Sequence, residues 1–118
     1  MNPETLIAKL RSGEAVDFAT VMEVIEAHYE YTPTAFANGL RERRFVNQAG
    51  ENEGSCKIFA FARLHRLSEP ETLALFGQHY DHVLSHPEGS DHRNIRTFAR
   101  DGWAGIEFFG GSPLRARH

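Results

Sequence analysis

A chain of 118 residues has the length of one domain, and at this size folding removes about two-thirds of the extended chain's surface from water. Hydrophobic residues at 41% and charged residues at 25% exclude a disordered or fibrous chain. A formal net charge of -3 supplies no basic field for a phosphate backbone, so nucleic acid is not an expected partner. Cys56 stands alone, which excludes an intramolecular disulfide and points to a reducing cytoplasm. Met1-Asn2-Pro3-Glu4 leads into an amphipathic helix without a basic leader, an apolar core or a cleavage motif, so no secretory signal is expected. No apolar run approaches the roughly 20 residues that span a bilayer, so no membrane partner is expected either.

No internal repeat or linker divides residues 1–118, which read as one unit. Asn2 as N-cap, Pro3 at the first helical position and Leu6, Ile7 and Leu10 predict a short first helix ending at Ser12-Gly13. Phe18, Val21, Val24, Ile25, His28 and Tyr29 recur at three- and four-residue steps and predict a second helix over about 17–30. Pro33 lacks an amide hydrogen and biases Thr32 towards extended geometry, so residues 31–36 read as a short strand. Asn38-Gly39 predicts a two-residue hairpin turn, with a return strand over about 41–46.

Ser55 is placed as the N-cap of a third helix reaching Leu64, whose apolar residues cover more than one face and mark it as the central core helix. Ser68-Glu69-Pro70-Glu71 has capping-box spacing and opens a fourth helix with the buried stripe Leu73, Phe76, Tyr80, Val83 and Leu84, ending at Pro87-Glu88-Gly89. Asp91 is the expected N-cap of a last helix carrying Ile95 and Phe98 and stopped at Gly102. Ile106 to Phe109 reads as a strand able to join residues 34–36. The sum is an α+β fold, mostly helical, with about five helices and a small two- or three-stranded antiparallel sheet.

Three stretches carry a resemblance: Tyr31 to Gly39, Asn47 to Phe59, and Pro87 to Arg96, supported by Leu75-Phe76-Gly77 and Gly102-Trp103-Ala104-Gly105-Ile106. Together they resemble the HopJ type III effector family over most of the chain beyond the first helix. The resemblance implies a small bacterial protein, a single HopJ-like domain over 1–118, in a family with no assigned reaction. Exported effectors tend to begin with a Ser-rich segment poor in acidic residues. Here Ser12 is the only serine among the first fifty residues and Glu4 comes early, so a resident cytoplasmic protein is favoured over an exported one.

Cys56 falls in the predicted first turn of helix three, where the helix dipole and Lys57 favour a thiolate, with His92 as the base a nucleophile needs. A free cysteine more often packs in the core. His79, His82 and His86 fall on one stripe of helix four at metal-ligand spacing, read against the alternative of a solvated polar face. Trp103 reads as a lid on the core. Arg41, Arg43 and Arg44 read as a solvated edge.

Two polar loops, 47–55 and 88–94, each lead into a predicted helix N-terminus, where unpaired amides and the dipole attract anions. The loops are expected to be neighbours framing one polar cleft, in which Asn47, Asn52, Ser55, Lys57, His92, Asn94 and Arg96 would bind an anionic group. The structural alternative has the loops satisfying each other's backbone, with Glu53 and Asp91 as built-in anions. The expected function is a non-catalytic protein- or ligand-binding module without a cofactor, its partner an unknown protein or a small anionic ligand. The competing expectation is a small enzyme using Cys56 and His92, or a polar pocket around Asn47, Asn52 and Glu53.

Overall fold

The computed structural model describes residues 1–117. Six α-helices and five short strands pack around one apolar cluster: α1 (Pro3–Arg11), α2 (Phe18–His28), β1 (Tyr29–Tyr31), β2 (Phe36–Asn38), β3 (Phe45–Asn47), α3 (Glu53–Leu64), α4 (Glu69–Ala74), α5 (Gln78–Ser85), α6 (Arg93–Asp101), β4 (Glu107–Phe108) and β5 (Leu114–Ala116). The fold is α+β and mostly helical, as the sequence indicates. No helix among the described residues is long and apolar enough to cross a membrane.

α1 and α2 begin where their caps dictate, Asn2 accepting from the Thr5 amide at 2.8 Å and Asp17 from the Ala19 amide at 3.1 Å. α3 is the core helix: Cys56 and Ile58 to Ala62 are all buried. Phe59 touches the rings of Phe36, Phe76, Phe98 and Trp103, so one side chain joins the sheet, α6 and the chain end of α4. Trp103 does cover the core. Its indole donates to the Leu67 carbonyl at 3.1 Å and the Arg63 guanidinium lies over its ring.

Several local expectations are corrected. The strand read over 31–36 is absent as such: β1 stops at Tyr31, β2 starts at Phe36, and residues 32–35 link them without strand structure. Helix four, drawn as continuous, breaks at residues 75–77 into α4 and α5. The Ser68/Glu71 capping box opens it as expected, but Gly77 takes φ 56° and ψ -128°. A Cβ at that position would lie 2.7 Å from the Val16 carbonyl oxygen and 2.8 Å from the Phe18 nitrogen, so only glycine admits this close crossing. The break rotates α5, and Leu84 is consequently exposed while Leu73, Phe76 and Val83 are buried.

The Asn38-Gly39 turn is also longer than two residues. Residues 39–44 loop through a 3-10 turn at Arg41–Arg43 because Asp101 captures them, accepting from the Leu40 amide at 2.9 Å and from the Arg43 fork at 2.7–3.0 Å. Arg43 is therefore an ion-paired anchor rather than a solvated edge residue. α3 starts at Glu53 and not after Ser55, and α6 starts at Arg93 with Asp91 outside it. In both, a left-handed residue precedes the helix.

β2 is the centre of a three-stranded antiparallel sheet in the order β3-β2-β4, with Phe36 opposite Asn47 and Phe108. β4 joins it as the sequence suggests. β5 is new: it pairs antiparallel with β1, Tyr29 opposite Ala116 and Tyr31 opposite Leu114. Leu114-Arg115-Ala116 carries no β-branched residue, and its strand is decided by its partner rather than by propensity.

His65 closes the end of α3, its ring bonded to the Tyr29 hydroxyl and packed on Phe61. Burial is the largest influence on this imidazole and pushes its pKa below the ordinary 6.5, with Arg11 assisting and Glu4 opposing. Between the folded value and 6.5 the unfolded chain binds more protons, so folding stability is full above pH 6.5 and falls as pH drops towards the folded value. Urea denaturation across this range is expected to show that slope, and His65→Gln to flatten it.

Candidate functional site

Sequence places asparagine at the last position of two strands otherwise built from Phe, Ala and Val, and the structure buries both. Asn38 and Asn47 meet Asn94 of α6 beneath the sheet end, all three almost wholly buried. Asn38 Nδ2 donates to the Asn94 main-chain and side-chain oxygens at 3.0 Å. Asn94 Nδ2 donates to Asn47 Oδ1 at 2.9 Å, and Asn47 Nδ2 returns to Asn94 Oδ1 at 3.2 Å. Asn52 joins from the loop before α3, donating to Asn47 Oδ1 at 2.7 Å. Four side-chain amides thus bind β2, β3 and the starts of α3 and α6 into one unit.

Loops 47–55 and 88–94 therefore lie side by side, with a cleft of about 340 Å³ between them. Asn52, Gly54 and Ser55 form one wall and His92, Arg93 and Asn94 the other, with Phe18, Phe76, His79 and Ile95 completing the lining. Asn52 (φ 50°, ψ 48°) and His92 (φ 51°, ψ 49°) are both left-handed, and neither helix behind them has a side-chain cap. The first amides of α3 and α6 both open beside this space. His92 in that conformation costs about 1–2 kcal/mol, whereas asparagine visits it readily, and the two flank one cleft.

Of the two residues expected as built-in anions, Asp91 is engaged by side chains, whereas Glu53 stays in the first turn of α3. Asp91 Oδ1 accepts from Arg96 at 2.7 Å and Oδ2 contacts His82 Nε2 at 2.9 Å; the Arg96 bond is the largest cause holding this carboxyl below its usual range. Glu53 lies beside the Tyr31 phenol, which burial, with Cys56 and Glu53 nearby, pushes up.

Residues 3–114 match the model of the HopJ type III effector protein family. This chain belongs to that family. The crystal structure of an unknown-function protein, VPA0580, is similar to it with TM-score 0.90 at 47% identity, covering 97% of this chain and 92% of that one. No curated protein matches the chain.

In the HopJ domain the residues singled out by sequence separate into three groups. Asn52, Ser55, His92 and Asn94 line the cleft and Asn47 supports it from behind. Lys57 does not reach it: one turn further along α3, its ammonium lies over the Tyr31 ring and 3.4 Å from Glu26. Arg96 also turns away, donating to the main-chain oxygens of His86 and Asp91 and to the Asp91 carboxylate. Arg93, His79, Phe18, Phe76 and Ile95 also line the cleft; sequence reasoning gave His79 as a metal candidate and Phe18, Phe76 and Ile95 as core residues, and did not single out Arg93.

Cys56 is 1% exposed, its thiol directed at the Thr34 carbonyl 3.6 Å away, and it does not line the cleft that holds His92. Burial is the largest influence on the thiol and pushes its pKa up, the opposite of what a nucleophile requires. The stripe His79, His82, His86 does not converge as such. His86 Nδ1 is bonded to the His82 carbonyl at 2.9 Å and its ring stacks on His82, while His79 packs edge-on against Phe18. A larger hollow of about 550 Å³ lies by Arg63, Arg66, Glu107 and Phe108; Arg63 there donates to the Ile106 carbonyl and packs on the Trp103 and Phe108 rings.

Two outcomes follow from this geometry. Asn94→Ala removes an amide from a buried network and strips bonds from Asn38 and Asn47, and is expected to cost about 2–3 kcal/mol in urea denaturation. Iodoacetamide at neutral pH is expected to label native Cys56 far more slowly than it labels the same thiol after denaturation.

Proposed function

We propose that this HopJ domain is a non-catalytic ligand-binding module whose site is the cleft between the N-termini of α3 and α6, taking a small molecule with an anionic group. The observation that carries the reading is the convergence of two uncapped helix N-termini, each entered through a left-handed residue. Each end presents unpaired amides and about half a positive charge. Ser55 and His92 add hydrogen-bonding groups on the same walls, while the Arg93 guanidinium is stacked 3.7 Å over the Phe45 ring. Phe18, Phe76 and Ile95 supply an apolar floor, so the ligand has a compact apolar body as well as its charged head, the usual composition of a small-molecule site.

A carboxylate or phosphate monoester fits this chemistry. The buried, raised thiol of Cys56 speaks against the thiolate enzyme and leaves binding as the better-supported reading. Cytoplasm, a bacterium's or a host's, is the proposed place of action, in keeping with one buried cysteine and no disulfide.

Amide chemical shifts test the reading. Titration with inorganic phosphate, and separately with benzoate as an aromatic carboxylate, is expected to move the amides of residues 53–55 and 93–95 together in a saturable way. Ser55→Glu, which sets a fixed negative charge in the wall, is expected to abolish the response without unfolding the domain. Shifts confined to scattered surface amides, or an undiminished response in Ser55→Glu, would remove the cleft as the site.

A further inference from the structure

The cleft's rim carries a second, chemically different constellation. His82 on α5 and Asp91 and His92 in the loop entering α6 each bring one ligand atom to a common point: two imidazole nitrogens and a carboxylate oxygen all lie within 4.8 Å of one another. We propose that His82, Asp91 and His92 form a binding site for a divalent transition-metal ion of the zinc class.

The donor set suits such an ion, since two neutral imidazoles and one carboxylate are borderline ligands of the kind zinc takes. A tetrahedral ion with bonds of about 2.0–2.1 Å holds its ligand atoms about 3.3–3.5 Å apart. His82 Nε2 and Asp91 Oδ2 are 2.9 Å apart, so a slight opening of that pair admits the ion between them. Three protein ligands leave a coordination position free, and His92 is shared with the cleft wall.

The surroundings orient these ligands. Arg96 grips Asp91 through its main-chain oxygen at 2.6 Å and through Oδ1 at 2.7 Å, and the His86 carbonyl at 2.7 Å. That grip occupies one carboxylate oxygen and presents the other to His82. The His86 ring stacks on His82 with centroids 4.1 Å apart, and the His79 ring packs 5.1 Å from His92. Outer contacts of this kind fix ligand orientation in metal sites. An ordinary ion pair between His82 and Asp91, both substantially exposed, accounts for their contact but not for the third ligand atom beside it. The site does not rest on the anion reading, because metal binding without any effect of phosphate leaves it standing.

The test uses the full chain without an affinity tag, stripped by chelator and titrated with zinc against a chromophoric indicator. One zinc per chain is expected. His82→Ala, Asp91→Asn and His92→Ala are each expected to weaken binding at least tenfold, and His28→Ala, remote on α2, to leave it unchanged. Circular dichroism confirms each variant's fold; should His92→Ala fail to fold, His82→Ala on the outer face of α5 and the isosteric Asp91→Asn carry the test. Absence of stoichiometric zinc overturns the proposal. So does binding that survives both His82→Ala and Asp91→Asn, or binding that depends on His79 and His86 but ignores Asp91, which would return the site to the α5 stripe.

Discussion

The amide network of Asn38, Asn47, Asn52 and Asn94 is the contact on which the arrangement of this domain depends. Buried amide groups left unpaired cost about 1–3 kcal/mol each, so the bonds among the three buried members, Asn38, Asn47 and Asn94, strongly disfavour their separation, even with Asn38 Oδ1 left without a partner. Because Asn38 and Asn47 end β2 and β3, a one-residue slip of that pairing would turn one of them out of the network, and the register of Phe36 opposite Asn47 is fixed by polar as well as apolar contacts. Because Asn52 and Asn94 sit at the starts of α3 and α6, the same network draws two positive helix ends together. Their mutual repulsion and the left-handed turns before them are tolerated because the network over-determines the local backbone.

A second constraint delivers the histidines. Gly77 lets the chain pass against residues 16–18, and Gln78 then caps α2 by accepting from the Phe18 amide at 3.1 Å. The crossing fixes the start and direction of α5, and with them the positions of His79 and His82 opposite the loop that carries Asp91 and His92. A continuous helix over residues 69–85 would have no such crossing. Glycine at 77 thus links backbone sterics to the composition of the cleft rim.

Much of this was legible in the residues. Caps at Asn2 and Ser68, the apolar spread of α3 and the strand near Phe108 follow from local chemistry and appear where it puts them. The juxtaposition of loops 47–55 and 88–94 also follows from reading each as a polar lead into a helix. What was not legible depends on distant partners. Ser55 and Asp91 look like caps by type, yet Asn52 and His92 take left-handed geometry because Asn47 and the Arg96 grip on Asp91 hold their neighbours. Arg43 looks solvated until Asp101, 58 residues away, folds beneath it. β5 has no strand signature of its own. The one overlooked local clue was asparagine at the inward end of two apolar strands, Phe36-Ala37-Asn38 and Phe45-Val46-Asn47, a polar placement that burial demands be paired.

Anion cleft and metal rim share His92, and sharing has a thermodynamic consequence. A dication bound as proposed at His82, Asp91 and His92 would set a centre of positive charge beside two positive helix ends, favouring an anion in the cleft and offering it an open coordination position. If the metal raises anion affinity, the anion must raise metal affinity by the same factor, since both report one coupling free energy. Arg96 sets the opposing limit. Its charge on Asp91 lowers the carboxylate's basicity towards metal while holding it in position, so the rim gains orientation at the cost of affinity. On the proposed reading a site so balanced would bind metal reversibly and respond to its ligand. That behaviour belongs to a sensor or carrier of small anions more than to a structural metal centre, whose closed coordination leaves nothing for a ligand to join.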